Sequence, residues 1–370
     1  MLIRYGKEKD GKLIKKAVVY TSDEHKINAA DLDREAVFIT SRLRANGHES
    51  YIVGGAVRDL ILGKKPKDFD IVTSATPARI KRIFRNSRII GRRFRLVHVY
   101  FGPRIFEVST FRSLKDGHSS NTYGTIEDDV LRRDFSCNAL LYDPGKQLVV
   151  DYVNGMNDIK KGILRPIIPS ELIFKDDPVR MIRAVKYAVV GSLSIPWRLN
   201  RRIKKEAELL NQVSPSRLTE ELSKIIRSPV ASQIVQELEK TGLYVYLQKE
   251  ASALMKNNPA FRAAYLAGFN KSIFPLSSLV RDYLELTIPS AKQSLNKPLQ
   301  LSWKELEKGS FEDYRAVFQD VRRFILPMNP PRIELEQALR IIFTEHGIDV
   351  KKSRFFERVR TRKRTKKVTQ

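Results

Sequence analysis

The segment of residues 51–73, YIVGGAVRDLILGKKPKDFDIVT, constrains the fold more than any other part of the chain. Its pattern predicts a strand, a turn at Gly54 and Gly55, a short helix, and a second strand that contains Asp68 and Asp70. Residues two apart in a strand point to the same face, so the two carboxylates should project together beside the glycine backbone. Carboxylates bind hard divalent cations, and backbone N–H groups at a glycine turn entering a helix bind phosphate. The segment therefore predicts a site for a metal ion and a phosphate group.

The pattern along the rest of the chain predicts an α+β fold with an all-helical continuation. Strand and helix signals alternate at first, which indicates a mixed or antiparallel sheet with helices; from about residue 174 onward only helical periodicity is found. We expect five segments: an N-terminal extension at 1–30, a head at 31–165, a helical neck at 166–240, a helical RNA-binding body at 241–350 and a basic tail at 351–370.

The charge balance indicates a polyanionic partner. The chain has 68 Lys and Arg residues against 42 Asp and Glu, a net charge of +26. The tail alone holds ten Lys and Arg against one Glu, which leaves +17 on residues 1–350. A basic body with a basic tail is better explained by nucleic acid than by solubility alone. We expect Arg360, Arg362, Lys363 and Arg364 to contact RNA without reading its sequence, in a tail that does not fold by itself.

Cysteine usage and hydropathy indicate a cytoplasmic protein. Cys137 is the only cysteine, so a disulfide within the chain is impossible and a reducing compartment fits. No apolar run approaches the roughly 20 residues that a membrane span needs. The first residues, MLIRYGKEKDGKLIKK, are charged and do not resemble a signal peptide.

Several motifs resemble those of the class II nucleotidyltransferases, which comprise bacterial CCA-adding enzymes and bacterial poly(A) polymerases. The glycine–aspartate segment carries the first likeness. The others follow in order: RRDFSCNAL (132–140), DYVNGMNDIKKGILRPI (151–167), DDPVRMIRA (176–184) and SPSRLTEEL (214–222). The resemblance covers residues 51–227 and fades beyond about residue 245. It implies that the predicted head is a nucleotidyltransferase head followed by a helical neck.

The resemblance also implies roles for individual residues. Gly54, Gly55 and Arg58 would hold the triphosphate, and Asp68 and Asp70 would bind two Mg²⁺ ions. One ion would activate the attacking hydroxyl and the other would hold the triphosphate.

The resemblance implies further roles for residues of the later motifs. Asp134 is the family's third acidic position, and Arg133 would shape the ribose site. Asp177 and Arg180 would read the Watson–Crick edge of the incoming base; being three residues apart in a predicted helix, they should share one face. The chain has Asp176 where the family usually has Glu, which should leave the role of Asp177 intact.

Glu107 is a second candidate for the third catalytic carboxylate. It lies on the predicted strand 104–111, which we expect next to the strand of Asp70. The strand is otherwise apolar, and burying a carboxylate is costly, so an acidic residue there needs an explanation. The alternative is a sheet-edge Glu paired with an arginine. The sequence leaves this choice open.

The segment 89–99, IIGRRFRLVHV, resembles the pattern of poly(A) polymerases more than that of CCA-adding enzymes. Its Arg92, Arg93 and Arg95 could line an RNA 3′ end. The leading hypothesis is a template-independent poly(A) polymerase that transfers AMP from ATP to RNA 3′ ends and releases pyrophosphate. The alternatives are a CCA-adding tRNA nucleotidyltransferase and a basic RNA-binding protein without catalysis. We expect a monomer, with RNA-degradation partners as an additional hypothesis.

Overall fold

The computed structural model describes residues 2–7, 13–91, 96–113, 122–269, 275–288, 302–309 and 311–348. The chain divides into two compact units. The first, here called the head unit, comprises Met1–Arg180 and Val190–Asn200; the second, the helical unit, comprises Met181–Val189 and Arg201–Gln370. The finer division into five segments stays a prediction.

A mixed sheet forms the frame of the head unit. Among the described residues it has nine strands in the order β1-β2-β9-β8-β3-β4-β7-β6-β5. Neighbouring strands run antiparallel except β4 and β7, which are parallel. The strands are β1 Leu2–Lys7, β2 Leu13–Tyr20, β3 Ser50–Val53, β4 Asp70–Thr73, β5 Ser87–Ile90, β6 Leu96–Phe101, β7 Arg104–Thr110, β8 Leu141–Asp143 and β9 Leu148–Asp151.

Short helices connect and cover these strands. They are α1 Ser22–His25, α2 Arg34–Ala45, α3 Gly55–Ile61, α4 Pro77–Ile83, α5 Ile126–Leu131, α6 Gly155–Lys160 and α7 Ile173–Asp176, with 3-10 turns at Ala29–Asp31 and Ser136–Asn138. The sequence predicted an alternation of strands and helices, including the strand at 104–111 that corresponds to β7. It missed β1 and β8; β1 and β2 extend the sheet at the predicted N-terminal extension.

One apolar cluster holds the sheet against α5. Its members come from both halves of the sheet and from the helix: Ala17, Tyr51, Val53, Val72, Phe111, Ile126, Val130, Ala139, Leu141 and Val150. Burying side chains of this size stabilises the fold by about 1.5–3 kcal/mol for each Val, Leu or Ile. The cluster includes residues of β3 and β4, so it fixes the two strands that flank the glycine turn.

The helical unit has no strand among its described residues, in agreement with the predicted all-helical continuation. Helices α8 Val179–Gly191 and α9 Trp197–Glu206 cross from one unit to the other. The helices that follow are α10 Pro215–Ile226, α11 Ala231–Lys240, α12 Tyr244–Leu247, α13 Lys249–Asn257, α14 Pro259–Gly268, α15 Pro275–Thr287, α16 Trp303–Glu307, α17 Phe311–Phe324 and α18 Arg332–Glu345, with a 3-10 turn at Ala207–Gln212. No helix in the described part of the chain is long and apolar enough to traverse a bilayer.

A buried ion triplet joins two motifs inside the helical unit. Glu221 of α10 is 2% exposed and accepts hydrogen bonds from Arg183 Nε at 2.8 Å and from Lys186 Nζ at 2.7 Å. Burial raises the pKa of the Glu221 carboxyl, but the charges of Lys186 and Arg183 outweigh burial and lower it to about 2. The motif at 214–222 is therefore bonded to helix α8 through Arg183 and Lys186.

Candidate active site

The Gly54 turn and the Asp70 carboxylate lie side by side. Strands β3 and β4 pair antiparallel with Val53 opposite Asp70, and Gly54 leaves the sheet with φ of 77°. A Cβ atom on Gly54 would lie 3.6 Å from Asp70 Oδ2. The positive φ favours glycine here. The carboxylate is thus held next to the backbone that begins α3.

Asp68 lies outside the strand, so the prediction that both aspartates belong to β4 is wrong. The last residue pair between the two strands is Val53 with Asp70, and Gly54 then turns away. Residues before Asp70 therefore have no partner strand at this edge. Asp68 and Asp70 are both exposed, while Pro66 is buried and Phe69 half-buried, which anchors the segment to the head unit.

The donor set fits a magnesium ion that is completed by substrate. Mg²⁺ is commonly bound through one or two carboxylates together with substrate phosphates and water. Asp70 offers one such carboxylate beside the Gly54 turn, and Asp68 lies two residues before it in the chain. Among the described residues, no group of three or more His, Cys, Asp or Glu side chains could hold a metal ion. Neither Glu107 nor Asp134 therefore completes a three-carboxylate cluster with this pair.

Glu107 contacts a histidine at the face of the β6–β7 hairpin. Its side chain is 57% exposed, and one carboxylate oxygen lies 3.6 Å from Nε2 of His98, the residue opposite it in the register. Val108 pairs in parallel with Ile71, so Glu107 lies at the same end of the sheet as Asp70. The contact matches the expected sheet pairing of a Glu, with His98 in place of an arginine. A catalytic role for Glu107 stays a prediction.

Arg58 is buried beneath the glycine turn. It is 3% exposed; Nε and Nη2 donate to Asp59 Oδ1 at 2.9 and 2.7 Å, and Nη1 donates to Asn138 Oδ1 at 2.8 Å. A Cβ atom on Gly55 would lie 3.5 Å from Arg58 Nη2. The guanidinium therefore brings positive charge close to the turn and ties α3 to the segment that contains Asn138.

Arg112 lies near Arg132 and Arg133 of the RRD motif, so that three arginines form a cluster. Burial lowers the pKa of Arg132 to about 10, and the charge of Arg112 adds to this effect while Asp129 opposes it. Burial also lowers the pKa of Arg112, again against the attraction of Asp129. Arg133 Nη2 donates to Asp129 Oδ2 at 2.8 Å. Arg112, Arg132 and Arg133 therefore lie close enough to interact electrostatically, with Asp129 among them as a counter-charge.

Sequence reasoning missed Arg112 and Arg132 as parts of this cluster. Arg132 was visible in the RRD motif, but Arg112 comes from a different segment. Only the fold brings the two together.

Arg180 is fixed by carboxylates from two motifs. It is 5% exposed; Nε donates to Asp134 Oδ1 at 2.7 Å, Nη1 donates to the Ile173 carbonyl at 3.2 Å, and Nη1 also pairs with Asp176. Asp134 therefore positions Arg180. The shorter side chain of Asp176, in place of the family's usual Glu, still reaches the guanidinium.

Asp177 lies before the helix of Arg180, so the prediction that the two share a helix face is wrong. Helix α8 begins at Val179, and Asp177 has extended backbone with φ of −149° and ψ of 101°. Its Oδ1 accepts the Val179 N–H at 3.2 Å, as a capping residue does. Pro178 disfavours helical backbone at the residue before it, which explains the break. The residues remain neighbours, since the Arg180 N–H donates to the Asp177 carbonyl at 3.1 Å.

The motif at 151–167 packs against the RRD motif. Asp158 Oδ2 accepts hydrogen bonds from Ser136 Oγ at 2.5 Å and from Arg165 Nε at 2.8 Å. A Cβ atom on Gly155 would lie 2.3 Å from the Ser136 carbonyl oxygen, so only glycine fits there. This motif therefore packs against Ser136 and helps to hold the segment that contains Asp134 in place.

All seven residues expected to bind RNA lie outside the described residues. These are Arg92, Arg93 and Arg95 in the head and Arg360, Arg362, Lys363 and Arg364 in the tail. One exposed aromatic residue was not predicted: Trp197 is 66% exposed and carries the Arg198 guanidinium 5.6 Å from its ring centroid. A bare indole beside a cation is typical of a surface that stacks unpaired bases.

Comparisons with known proteins match two segments of this chain to described families. Residues 50–165 match the family described as poly A polymerase head domain, and residues 193–255 match the family described as probable RNA and SrmB-binding site of polymerase A. Poly(A) polymerase I of Salmonella typhi is 42% identical over 238 residues, 60% of this chain and 51% of the relative. The CC-adding tRNA nucleotidyltransferase of Halalkalibacterium halodurans is 36% identical over 231 residues, 61% of this chain and 58% of the relative.

A solved structure shares the fold over most of the chain. The CCA-adding enzyme of Bacillus stearothermophilus in complex with CTP aligns with a TM-score of 0.56 and 26% identity, over 84% of this chain and 82% of that one. The chain spans only about half the length of the poly(A) polymerase relatives it matches.

Proposed function

We propose that this chain, whose residues 50–165 belong to the poly A polymerase head-domain family, transfers AMP from ATP to the 3′ ends of RNA. The RNA 3′-hydroxyl would attack the α-phosphate, forming one P–O bond as the bond to the leaving pyrophosphate breaks. The reaction needs no template strand, since the protein itself would select the base. RNA 3′ ends are the proposed partner. We also propose that the protein is a monomer and that it acts in the cytoplasm. Proteins of RNA degradation are proposed as further partners.

The observation that carries the proposal is the approach of Asp70 Oδ2 to the Gly54 backbone, 3.6 Å from where a Cβ would lie. It supports the proposal because Asp70, the proposed acidic ligand, and Gly54, in the proposed phosphate-binding turn, adjoin paired strands, and phosphoryl transfer requires such groups to be held in position. Arg58 adds positive charge beneath the turn. The arginine cluster of Arg112, Arg132 and Arg133 supplies a second field that favours a polyphosphate.

Asp68 and Asp70 would hold Mg²⁺. Two such ions are proposed: one would lower the pKa of the attacking hydroxyl, and the other would hold the triphosphate and neutralise charge on the leaving pyrophosphate. The N–H groups of the Gly54–Gly55 turn would orient the phosphates. Arg133 would lie against the ribose.

Base selection is proposed for Asp177 and Arg180. The hydrogen bonds of Arg180 to Asp134, Ile173 and Asp176 use Nε and Nη1, so its orientation is set before any nucleotide arrives. A preformed guanidinium next to a carboxylate presents donors and an acceptor to a base edge.

CCA addition to tRNA is the second candidate. It is favoured by the 26% identical structure of a CCA-adding enzyme that holds CTP, and by relatives that add C or CCA at 33–36% identity. Both activities would use the same carboxylates and glycine turn. The 42–43% identity to poly(A) polymerase I favours addition of AMP without CMP. A basic RNA-binding protein without catalysis is the third alternative.

The proposal is tested by incubating the protein with Mg²⁺, ATP and a labelled RNA. We expect RNA extension with release of pyrophosphate, and no extension of an RNA that ends in a 3′-deoxy nucleotide. Asp70→Asn should reduce extension at least 100-fold, since it removes a charged ligand beside the phosphate turn. Asp31→Asn, at an exposed aspartate of a 3-10 turn, is the matched control. Full extension by Asp70→Asn would contradict the proposed site.

A further inference from the structure

A cavity of about 370 Å³ lies in the helical unit, between the end of α17 and the start of α18. Its volume falls in the range of small-ligand pockets, roughly 300–1,000 Å³. Phe318 and Leu335 form the apolar floor, and the segment Asn329–Pro331 forms one wall. The cavity lies beyond residues 193–255, the segment that matches the RNA-binding family.

The wall of the cavity is held in place by side chains from other helices. Gln248, which is fully buried, donates from Nε2 to the Ile325 carbonyl at 2.7 Å. The Asn329 N–H donates to Thr219 Oγ1 at 2.9 Å. The chain is therefore anchored at Ile325 and at Asn329, where the wall begins, and this anchoring does not depend on a ligand. A preformed site loses less conformational entropy on binding.

The lining combines an aromatic ring, two cations and an amide. The Arg332 guanidinium lies 5.6 Å from the centroid of the half-buried Phe318 ring, and Arg332 Nε donates to Glu336 Oε1 at 2.6 Å. Glu336 thus fixes the position of the Arg332 guanidinium, and the guanidinium balances the negative charge of Glu336. Arg322 and Asn329 are exposed at the rim. Guanidinium planes and aromatic rings stack unpaired bases, and a second arginine can meet the adjoining phosphate.

We propose that this cavity binds an unpaired adenosine of RNA. The base would stack against the Arg332–Phe318 pair, and its phosphate would meet Arg322. The Asn329 amide would pair with adenine N6 and N7, the two-point contact by which Asn recognises adenine. RNA is favoured over a protein ligand because the rim is cationic and the whole chain carries +26. The inference rests on the proposed function, since an enzyme that makes adenylate tracts would hold its own product here.

The test measures binding of fluorescein-labelled oligo(A) and oligo(U) of equal length to the full chain by anisotropy, in EDTA and without ATP. We expect wild type to prefer oligo(A). Asn329→Ala should reduce that preference about fivefold to tenfold, the order expected for losing one bidentate base contact. Gln337→Ala, an exposed amide on α18 outside the cavity, is the matched control and should leave the preference unchanged.

A second pair of variants separates base recognition from charge. Arg322→Ala should weaken oligo(A) and oligo(U) about equally, because phosphate contacts do not read sequence. Arg315→Ala, which removes an exposed charge elsewhere on α17, should have a smaller effect on both. Thermal unfolding midpoints of all variants should match wild type, since these side chains are exposed.

Two results would overturn the inference. One is an Asn329→Ala variant that keeps the full preference for oligo(A). The other is a wild-type protein without that preference. Either result would exclude adenosine recognition by the cavity and favour a protein as its ligand. Because no ATP is present, failure of the inference is distinct from failure of the proposed function. A protein that prefers oligo(A) through Asn329 but cannot extend RNA would refute only the latter.

Discussion

Glu221 should be among the most important polar side chains for the stability of the helical unit. It is 2% exposed and holds the charges of Arg183 and Lys186. Lowering its pKa from 4.5 to about 2 corresponds to about 3 kcal/mol of folding free energy at pH 7. Glu221→Gln removes this term and leaves Lys186, only 8% exposed, without its counter-charge. We expect a loss of about 3–5 kcal/mol, the usual result of breaking a buried ion pair.

The pH dependence has a defined sign. A carboxyl whose pKa is lower in the folded state stabilises the fold above its unfolded pKa and loses that effect as the pH falls. Wild type should therefore lose about 3 kcal/mol between pH 4.5 and pH 2 through this group alone. The Gln variant lacks the group, so its stability should fall less steeply over the same range.

Urea unfolding followed by circular dichroism, at pH 7 and at steps down to pH 2.5, measures both effects. The matched control is Glu220→Gln on the same helix, because Glu220 is 61% exposed and pairs with the exposed Lys224 at 2.6 Å. Surface pairs of this kind contribute about 0–1 kcal/mol. If Glu221→Gln and Glu220→Gln unfold at the same urea concentration at pH 7, the buried triplet does not stabilise the unit and the reasoning is refuted.

Three further predictions concern nucleotide and RNA. Arg180→Lys cannot reproduce the paired contacts to Asp134 and Asp176, so AMP incorporation should fall at least tenfold in single-turnover assays, and unchanged incorporation would contradict base positioning by Arg180. Trp197→Ala should weaken RNA binding about tenfold with ATP affinity unchanged, as measured by anisotropy, whereas Val245→Ala, which alters another exposed apolar residue, should not. Removing residues 351–370 should weaken RNA binding and flatten its dependence on salt while sparing ATP binding; an unchanged salt slope would refute a role for the tail.

The sequence predicted the part of the site that depends on local geometry. A glycine pair between two apolar strands places Gly54 and Asp70 together whatever surrounds them, since strand pairing decides the contact. The same reasoning failed at Asp68, because the pattern does not reveal where the partner strand ends. It failed again at Asp177, where Pro178 delays the start of α8 to Val179.

The contacts that join distant segments could not be predicted from spacing. The bond of Arg180 to Asp134 and the pairing of Glu221 with Lys186 span 46 and 35 residues. Each motif was visible, but its partner was not. The cavity at Phe318 depends on Gln248 and Thr219 to anchor its wall, and none of these residues stands out in the sequence.

Nucleotide choice tests the central proposal most directly. The protein is given Mg²⁺ and a single nucleotide, ATP or CTP, with either an unstructured RNA or a tRNA that lacks its CCA end. We expect repeated AMP addition to both RNAs, with CMP addition at least 100-fold slower. CMP incorporation at the tRNA 3′ end at a rate comparable to AMP, stopping after two additions, would contradict it and establish CCA addition instead.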